Sequence, residues 1–174
     1  MSYVDTNVIL AKYFPGDKVQ TQASQFLETR HRKIVSPITV IELAAVISRL
    51  DVELKAPNEL LDERPKRRVR ALVEFMIRDS DLVLVGVTVQ TKVKIGKTVA
   101  TIPIEYHSSL RLAHALKLKT LDLLHLSYAD LLKRSGYELE DFVTYDQDVL
   151  AKSKEIKEET GIEVKEPAST ETFR

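Results

Sequence analysis

Four acidic residues of this chain lie at junctions between predicted strands and helices, or in the first turns of predicted helices. They are Asp5, Glu42, Asp122 and Asp146. In a parallel sheet these positions fall along one edge, so the four carboxylates are predicted to converge, and without a counter-charge they would repel one another. Mg²⁺ or Mn²⁺, which prefer oxygen ligands, would neutralise them. The pattern therefore predicts a metal site that activates water against a phosphodiester, with two ions about 3.5–4 Å apart if two bind.

Each of these residues also has an ordinary structural explanation. Asp146 suits a helix N-cap and Asp122 complements a helix dipole, so for either residue alone the structural and functional interpretations are equally good. Glu42 is better evidence, because its two neighbours in the sequence are apolar. Asp5 is the strongest, because its charge directly follows a strand that should be buried.

Three further residues near these positions have other predicted roles. His125 follows Asp122 by three residues and shares its helix face, and we assign it a structural or indirect supporting role. Asp130 and Asp148 are predicted to be charges on helix surfaces, although Asp148 could also approach the metal.

Length and composition indicate one globular domain. The chain has 174 residues, of which 44% are hydrophobic and 30% charged. It has no cysteine, so a metal would have to be bound by oxygen or histidine ligands. No apolar run is long enough for a membrane helix, and no secretory signal is evident, so we expect a cytoplasmic protein. The net charge is zero, so any surface that attracts nucleic acid must be local.

Strands and helices alternate along most of the chain, which predicts an α/β fold with a mainly parallel sheet covered by helices. The one segment that looks antiparallel is a hairpin insertion near residues 87–101, with its turn around Gly96. We expect a single domain over residues 1–166 and a flexible tail over residues 167–174. The predicted strands cover residues 2–4, 33–35, 82–89, 142–144 and 162–164. The predicted helices cover residues 6–14, 18–31, 37–54, 64–78, 104–118, 121–135 and 148–159.

At these residues the chain resembles the PIN-domain ribonucleases, and especially the VapC-type toxins of toxin–antitoxin pairs. The matching motifs occur in the family's order and span nearly the whole chain. They are residues 3–7, residues 36–37 leading into 41–43, residues 121–126, and residues 142–146 followed by 161–164.

The resemblance implies a three-layer αβα sandwich and a Mg²⁺- or Mn²⁺-dependent endoribonuclease whose metal-binding, catalytic carboxylates are the four acidic residues. It implies that Thr6, Asn7 and Thr144 support the site by hydrogen bonds, and we place Asp148 with them. A homodimer and an antitoxin partner are further expectations. The basic run at residues 64–70 is most often a solvated helix face, and it or Lys92, Lys94 and Lys97 would contact the RNA backbone. The candidate RNA-binding residues of that run are Arg64, Lys66, Arg67, Arg68 and Arg70.

Other functions are compatible with parts of the pattern. A phosphatase with an aspartyl nucleophile would want a second Asp at the position of Asn7, and a nicotinamide-binding domain would want a glycine-rich loop after the first strand. An RNA-binding module without catalysis would not need four carboxylates. A domain that mainly pairs with a protein partner, and a nuclease of RNA processing or quality control, remain as alternatives.

Overall fold

The computed structural model describes residues 1–49 and 54–167, apart from the side chains of residues 65 and 66. The strands of the described chain are β1 (Ser2–Val4), β2 (Lys33–Val35), β3 (Leu82–Leu84), β4 (Gln90–Ile95), β5 (Thr98–Pro103), β6 (Asp141–Val143) and β7 (Glu163–Lys165). The helices are α1 (Thr6–Tyr13), α2 (Gln20–Leu27), α3 (Pro37–Ile47), α4 (Asn58–Leu61), α5 (Pro65–Asp79), α6 (Ile104–Leu116), α7 (Thr120–Arg134), α8 (Gln147–Leu150) and α9 (Ser153–Thr160).

Five short strands form a central sheet in the order β3-β2-β1-β6-β7, and every neighbouring pair is parallel. In β1, for example, Tyr3 pairs with Ile34 on one side and Phe142 on the other. Because all five strands run in the same direction, their last residues lie at one edge, which we call the carboxyl edge. Helices α1, α3 and α8 begin within a few residues of that edge, so their N-termini face it.

The two faces of the sheet carry separate hydrophobic cores. Val4 lies on one face with residues of α1, α2, α3 and α5, whereas Tyr3 lies on the other with residues of α6, α7 and α9. Consecutive residues of a strand point to opposite faces, so β1 contributes to both cores. The three-layer αβα sandwich is therefore confirmed.

The predicted strand at residues 82–89 is shorter than expected. Regular pairing ends at Leu84 because its neighbour β2 also ends, at Val35, and the last bond of this ladder is Val85 N to Val35 O at 2.9 Å. The predicted hairpin is confirmed: β4 and β5 are antiparallel, and Gly96 at the turn has φ +61°, a conformation that glycine adopts without strain.

Several helix boundaries also differ from the prediction. The helix predicted at residues 18–31 is confined to α2, and the helix predicted at residues 148–159 is divided into α8 and α9. A short helix, α4, lies in the predicted loop at residues 56–63. Helix α3 ends at Ile47 rather than near residue 54, and residues 50–53 of that prediction lie outside the described residues.

Asp130 was expected on a helix surface, and that prediction is wrong. Its side chain is 1% exposed and accepts hydrogen bonds from Arg111 Nη2 and Arg134 Nε, each at 2.8 Å. The arginine from α6 reaches across to α7, and the paired charges make burial of the carboxylate tolerable. Asp148 is exposed, as predicted, and forms an ion pair with Lys119 at 2.8 Å.

The last described residue is Pro167, and its carbonyl oxygen accepts a hydrogen bond from the side chain of Gln22. The rest of the predicted tail, residues 168–174, lies outside the described residues. No helix in the described ranges has the length and apolar character needed to cross a membrane.

Candidate metal centre

Asp5 leaves β1 at the carboxyl edge and immediately starts α1. Its backbone N–H still bonds to Val143 O at 3.0 Å, so the sheet holds the residue in place. Asp5 is itself the N-cap of the helix: its Oδ1 accepts from Thr6 N at 2.7 Å. Only 8% of Asp5 is exposed, so this ionisable side chain is almost completely shielded from solvent.

The second oxygen of Asp5 is held by two of the predicted supporting residues. Oδ2 accepts from Thr144 Oγ1 at 2.6 Å and from Asn7 Nδ2 at 2.8 Å. Thr144 Oγ1 also accepts from Asn7 Nδ2 and from Asp146 N, each at 2.9 Å. Asn7 Oδ1 accepts from Tyr145 N at 3.1 Å. This network joins the start of α1 to the loop after β6 and fixes the Asp5 carboxylate.

Burial raises the pKa of Asp5 above its ordinary value. The charge of His125 and the hydrogen bond from Thr144 oppose this rise, whereas the charge of Glu42 adds to it. A divalent cation would favour the ionised form of such a carboxyl group.

Glu42 reaches the site from the second turn of α3. Its Oε2 accepts hydrogen bonds from Thr6 Oγ1 and from His125 Nε2, the latter at 2.7 Å. Burial raises the pKa of Glu42, but the hydrogen bonds from His125 and Thr6 and the charge of His125 outweigh it, so the pKa is lowered overall. Glu42 is therefore held as a carboxylate.

His125 orients Glu42 through one ring nitrogen, and Tyr3 holds the other ring nitrogen of His125. Its Nδ1 lies 2.8 Å from Tyr3 Oη, and Tyr3 Oη donates its own proton to Ser36 Oγ at 2.7 Å. Ligand atoms of Asp5, Glu42 and His125 all lie within 4.8 Å of one another. Because both ring nitrogens of His125 already have partners, we assign it the supporting role predicted for it, rather than that of a ligand.

Asp122 lies in the first turn of α7 and is the least satisfied of the four acids. Its Oδ2 is buried and has no hydrogen-bond partner among the described residues. Burial, followed by the charges of Asp146 and Asp5, raises the pKa of Asp122 to about 6. These charges act on Asp122 across the site, which connects α7 with the ends of β1 and β6.

Asp146 has the capping role that the sequence also allowed. Its Oδ1 accepts from Asp148 N at 2.8 Å and from Val149 N at 3.3 Å, at the start of α8. The hydrogen bonds recorded for its side chain among the described residues use Oδ1 alone, so capping leaves Oδ2 for another partner. Capping and metal binding are thus compatible at this residue.

Sequence reasoning missed the cation at the rim of this cluster. Lys119 occupies the N-cap position of α7, and its ammonium group interacts with Asp148, Asp146 and Asp122. Its position three residues before Asp122 was a signal that could have been used. Asp148 is therefore neutralised by Lys119 at the surface, at 64% side-chain exposure.

The donor set fits Mg²⁺ or Mn²⁺. The group whose ligand atoms lie within 4.8 Å of one another contains two carboxylates, those of Asp5 and Glu42, and carboxylate oxygens are the ligands that these ions prefer. Asp122 lies outside that group, but its buried Oδ2 lacks any partner in the described chain. A buried polar atom without a partner costs about 1–3 kcal/mol, which a bound cation would recover.

Comparison with protein families agrees with this geometry. Residues 2–155 match the model of the PIN domain. The chain belongs to the PIN domain family. The matched region contains all four acidic residues, the supporting Thr6, Asn7 and Thr144, and the hairpin β4–β5. No curated protein matches the chain.

PIN domains are generally metal-dependent nucleases that act on RNA or DNA, and the acidic cluster of this PIN domain is compatible with metal binding. The match ends before β7, so the last strand of the sheet lies beyond the matched residues.

The basic run lies at the start of α5. The other end of this helix, its C-terminal end, packs near the C-terminal end of α1, and it is this end that lies away from the carboxyl edge. Arg64, Arg67 and Arg70 are exposed, whereas Arg68 is partly buried. Arg70 pairs with Glu74 at 2.7 Å. The side chain of Lys66 lies outside the described residues.

The raised pKa of Asp122 predicts a pH-dependent stability of the metal-free protein. Since the folded pKa of about 6 exceeds the ordinary value of 3.8, the destabilisation is absent below about pH 4, grows between pH 4 and 6 and is constant above. Discounted for partial exposure, we expect about 1–2 kcal/mol. In thermal melts with EDTA, Asp122→Asn should therefore be more stable than the wild type at pH 7.5 and equal to it near pH 4.

The exposed Asp62, at the end of α4, offers the matched control. Asp62→Asn should show no such pH-dependent difference. If the stability of Asp122→Asn equals that of the wild type at every pH, the ionised Asp122 carboxylate does not destabilise the metal-free fold and the prediction is contradicted.

Proposed function

We propose that this PIN domain is a Mg²⁺- or Mn²⁺-dependent endoribonuclease whose metal-binding carboxylates are Asp5, Glu42, Asp122 and Asp146. The observation that supports this most directly is the buried Oδ2 of Asp122, which has no hydrogen-bond partner among the described residues, in a site where burial and the charges of Asp146 and Asp5 raise the pKa of Asp122. Repulsion of this kind is relieved by a divalent cation.

The residues around the carboxylates have distinct tasks in the proposed mechanism. Thr144 and Asn7 hold Asp5 in one orientation, and Thr6 and His125 hold Glu42. A bound divalent ion would supply a nucleophilic hydroxide at neutral pH and charge stabilisation for the leaving oxygen. The N-terminus of α1 adds a positive potential that favours a phosphate nearby.

The basic run at the start of α5 is proposed to contact the RNA backbone. Arg64 and Arg67 are exposed, and guanidinium groups suit phosphate oxygens. Arg70 contributes less, because Glu74 already neutralises it.

The biological role that we propose is that of the toxin of a toxin–antitoxin pair, acting as a homodimer and neutralised by an antitoxin protein. The alternative is a nuclease of RNA processing or quality control, which the hairpin β4–β5 favours because a compact toxin does not need this insertion. Growth arrest on expression, relieved by the product of the neighbouring reading frame, would be expected of the toxin and not of the alternative.

Removal of the metal tests the activity. Purified protein incubated with labelled single-stranded RNA and Mn²⁺ should give internal cleavage products, and excess EDTA should abolish them. Restoring Mn²⁺ should restore cleavage, since the carboxylates remain in place. Cleavage that continues in EDTA would exclude the proposed mechanism, and the same incubation with single-stranded DNA would show whether RNA is the preferred substrate.

A further inference from the structure

The segment that connects β3 to α6 is cationic. Residues 82–104 contain three lysines and no acidic residue, although the chain as a whole has equal numbers of acidic and basic residues. All three, Lys92, Lys94 and Lys97, lie in the hairpin β4–β5 or its turn. Because the net charge is zero, attraction of a polyanion has to come from such a local concentration of charge.

The two faces of the hairpin differ in exposure. On one face Thr91, Val93, Ala100 and Ile102 are partly buried, whereas the pair Ile95–Thr98 beside the turn is exposed, and α6 is in contact with both strands. On the opposite face, Pro103 is partly buried beside Gln90, and the other residues are exposed. The exposed residues are Gln90, Lys92, Lys94, Val99 and Thr101, and we call them the outer face.

The pairing of the strands brings the cations of the outer face together with small or polar neighbours. Lys92 lies opposite Thr101, and Lys94 lies opposite Val99. Within residues 1–49 and 54–167, excluding the side chains of 65 and 66, none of the three lysines has a carboxylate oxygen within 4.0 Å. Their charges are thus not neutralised by ion pairs within the described chain.

The hairpin is connected to the edge of the sheet that carries the acidic residues. Strand β3 is parallel to β2 and ends at the carboxyl edge, and five residues, 85–89, lead from there to the start of β4. Five residues span at most about 18 Å. The base of the hairpin is fixed by Ile104 N, which donates to Val89 O at 3.0 Å. A bound chain of several nucleotides can therefore reach both the outer face and the carboxyl edge.

We propose that the outer face of the hairpin binds the sugar–phosphate backbone of single-stranded RNA. This inference rests on the proposed ribonuclease function and assigns part of its substrate site. Two lysines on one face, flanked by Gln90 and Thr101, supply ammonium and other hydrogen-bond donors for phosphate oxygens. A protein partner would need an apolar centre. On the outer face Val99 is the one large exposed apolar side chain, since the exposed Ile95 lies on the other face of the hairpin. The hairpin and the basic run of α5 are attached to opposite faces of the sheet, since α5 packs in the core of Val4 and α6 in that of Tyr3.

Salt-dependent RNA binding tests the proposal without requiring cleavage. All variants carry Asp5→Asn and are measured in EDTA with a fluorescent single-stranded RNA. Each lysine that neutralises a phosphate contributes about 0.7 to the slope of log affinity against log salt concentration. K92Q/K94Q should therefore lower the slope by about 1.4 and weaken binding about tenfold at low salt.

A control removes two exposed lysines that lie outside the hairpin. Lys18 lies in the turn after α1, and Lys157 pairs with Glu163 at the start of β7. K18Q/K157Q should leave both slope and affinity unchanged. Far-ultraviolet circular dichroism and the melting temperature establish that both double variants are folded, and Lys92 and Lys94 are exposed enough that folding should be retained.

The same variants are also tested with polyglutamate and with single-stranded DNA. Three outcomes would overturn the proposal. They are an equal loss of RNA affinity in the two double variants, no loss of RNA affinity in K92Q/K94Q, or a loss of affinity in K92Q/K94Q that is seen only with polyglutamate or single-stranded DNA. The failure of the ribonuclease assignment is distinguishable. A wild-type protein that does not cleave RNA, although K92Q/K94Q lowers the salt slope, would refute the nuclease and leave the hairpin as an RNA-binding element. Cleavage by the wild type together with unchanged binding in K92Q/K94Q would refute the hairpin alone.

Discussion

Asp5→Asn is expected to lower the rate of Mn²⁺-dependent RNA cleavage by about a thousandfold, the loss of about 4 kcal/mol of transition-state stabilisation. Asp5 is central to the cluster, because its carboxylate is fixed by Thr6, Asn7 and Thr144 and its charge acts on Asp122. The amide keeps the shape of the side chain but removes the charge that a divalent cation needs.

The same substitution should have little effect on folding. The NH2 group of the introduced amide is a donor in the place where Asp5 Oδ2 accepted hydrogen bonds from Asn7 and Thr144, and this mismatch costs about 1 kcal/mol. Removing a buried charge beside Glu42 and Asp122 offsets this cost, since burial and the charge of Glu42 disfavour the ionised form of Asp5. The free energy of unfolding without metal should therefore change by less than about 1 kcal/mol.

Metal-induced stabilisation gives a second readout that does not depend on activity. At a Mn²⁺ concentration of about 100 times the dissociation constant, binding adds about 2.7 kcal/mol, which raises the melting temperature by about 5–10 °C. Asp5→Asn should abolish this rise, and the exposed control Asp62→Asn should retain it along with full cleavage. If Asp5→Asn is collapsed in the absence of metal, Asp5 has a purely structural role; if it cleaves like the wild type, the carboxylate assignment fails.

Thr144→Val should reduce both stability and cleavage, although Thr144 is not itself a proposed ligand. The side chain is completely buried, and its hydroxyl uses its full capacity: it donates to Asp5 Oδ2 and accepts from Asn7 Nδ2 and Asp146 N. Valine has nearly the same shape and leaves these three groups without this partner. We expect a loss of about 2–3 kcal/mol in the free energy of unfolding.

The effect on cleavage should follow from the lost orientation of two carboxylates. Groups that position metal ligands typically contribute about 10–100-fold to metal affinity or activity, and Thr144 touches both Asp5 and the backbone of Asp146. The concentration of Mn²⁺ needed for half-maximal cleavage should rise in Thr144→Val, so that part of the activity returns at high Mn²⁺.

Thr144→Ser is the matched control, because it keeps the hydroxyl and removes only a methyl group. It should retain most of the cleavage activity and a nearly normal Mn²⁺ requirement. Equal losses of activity in the serine and valine variants would mean that the buried methyl group, rather than the hydrogen bonds, is what matters at this position.

Sequence patterns alone predicted much of this architecture. Apolar strands alternating with helices predicted the parallel sheet, and the lysine-rich stretch around Gly96 predicted the hairpin. Asp5, immediately after a buried strand, was identified because local order in the chain fixes where a strand ends. Such features depend on residues that are neighbours in the sequence, so the sequence alone is enough to predict them.

Element lengths depended on partners that the sequence does not reveal. Residues 85–89 have the composition of a strand, yet regular pairing stops at Leu84 because β2 ends at Val35. Asp130 has the spacing of a surface residue on α7, but Arg111 of the preceding helix covers it. A pattern of residue types cannot show which distant side chain will cover a given position.

The sequence by itself determined the order of strands and helices, and from that order it predicted which carboxylates would lie at the carboxyl edge. The tertiary structure alone decided their electrostatic states. The lowered pKa of Glu42 depends on His125, 83 residues away, and the raised pKa of Asp122 depends on burial and on Asp146 and Asp5. Charge interactions and desolvation act through space over a few ångströms, so they are set by the packed fold and not by order along the chain.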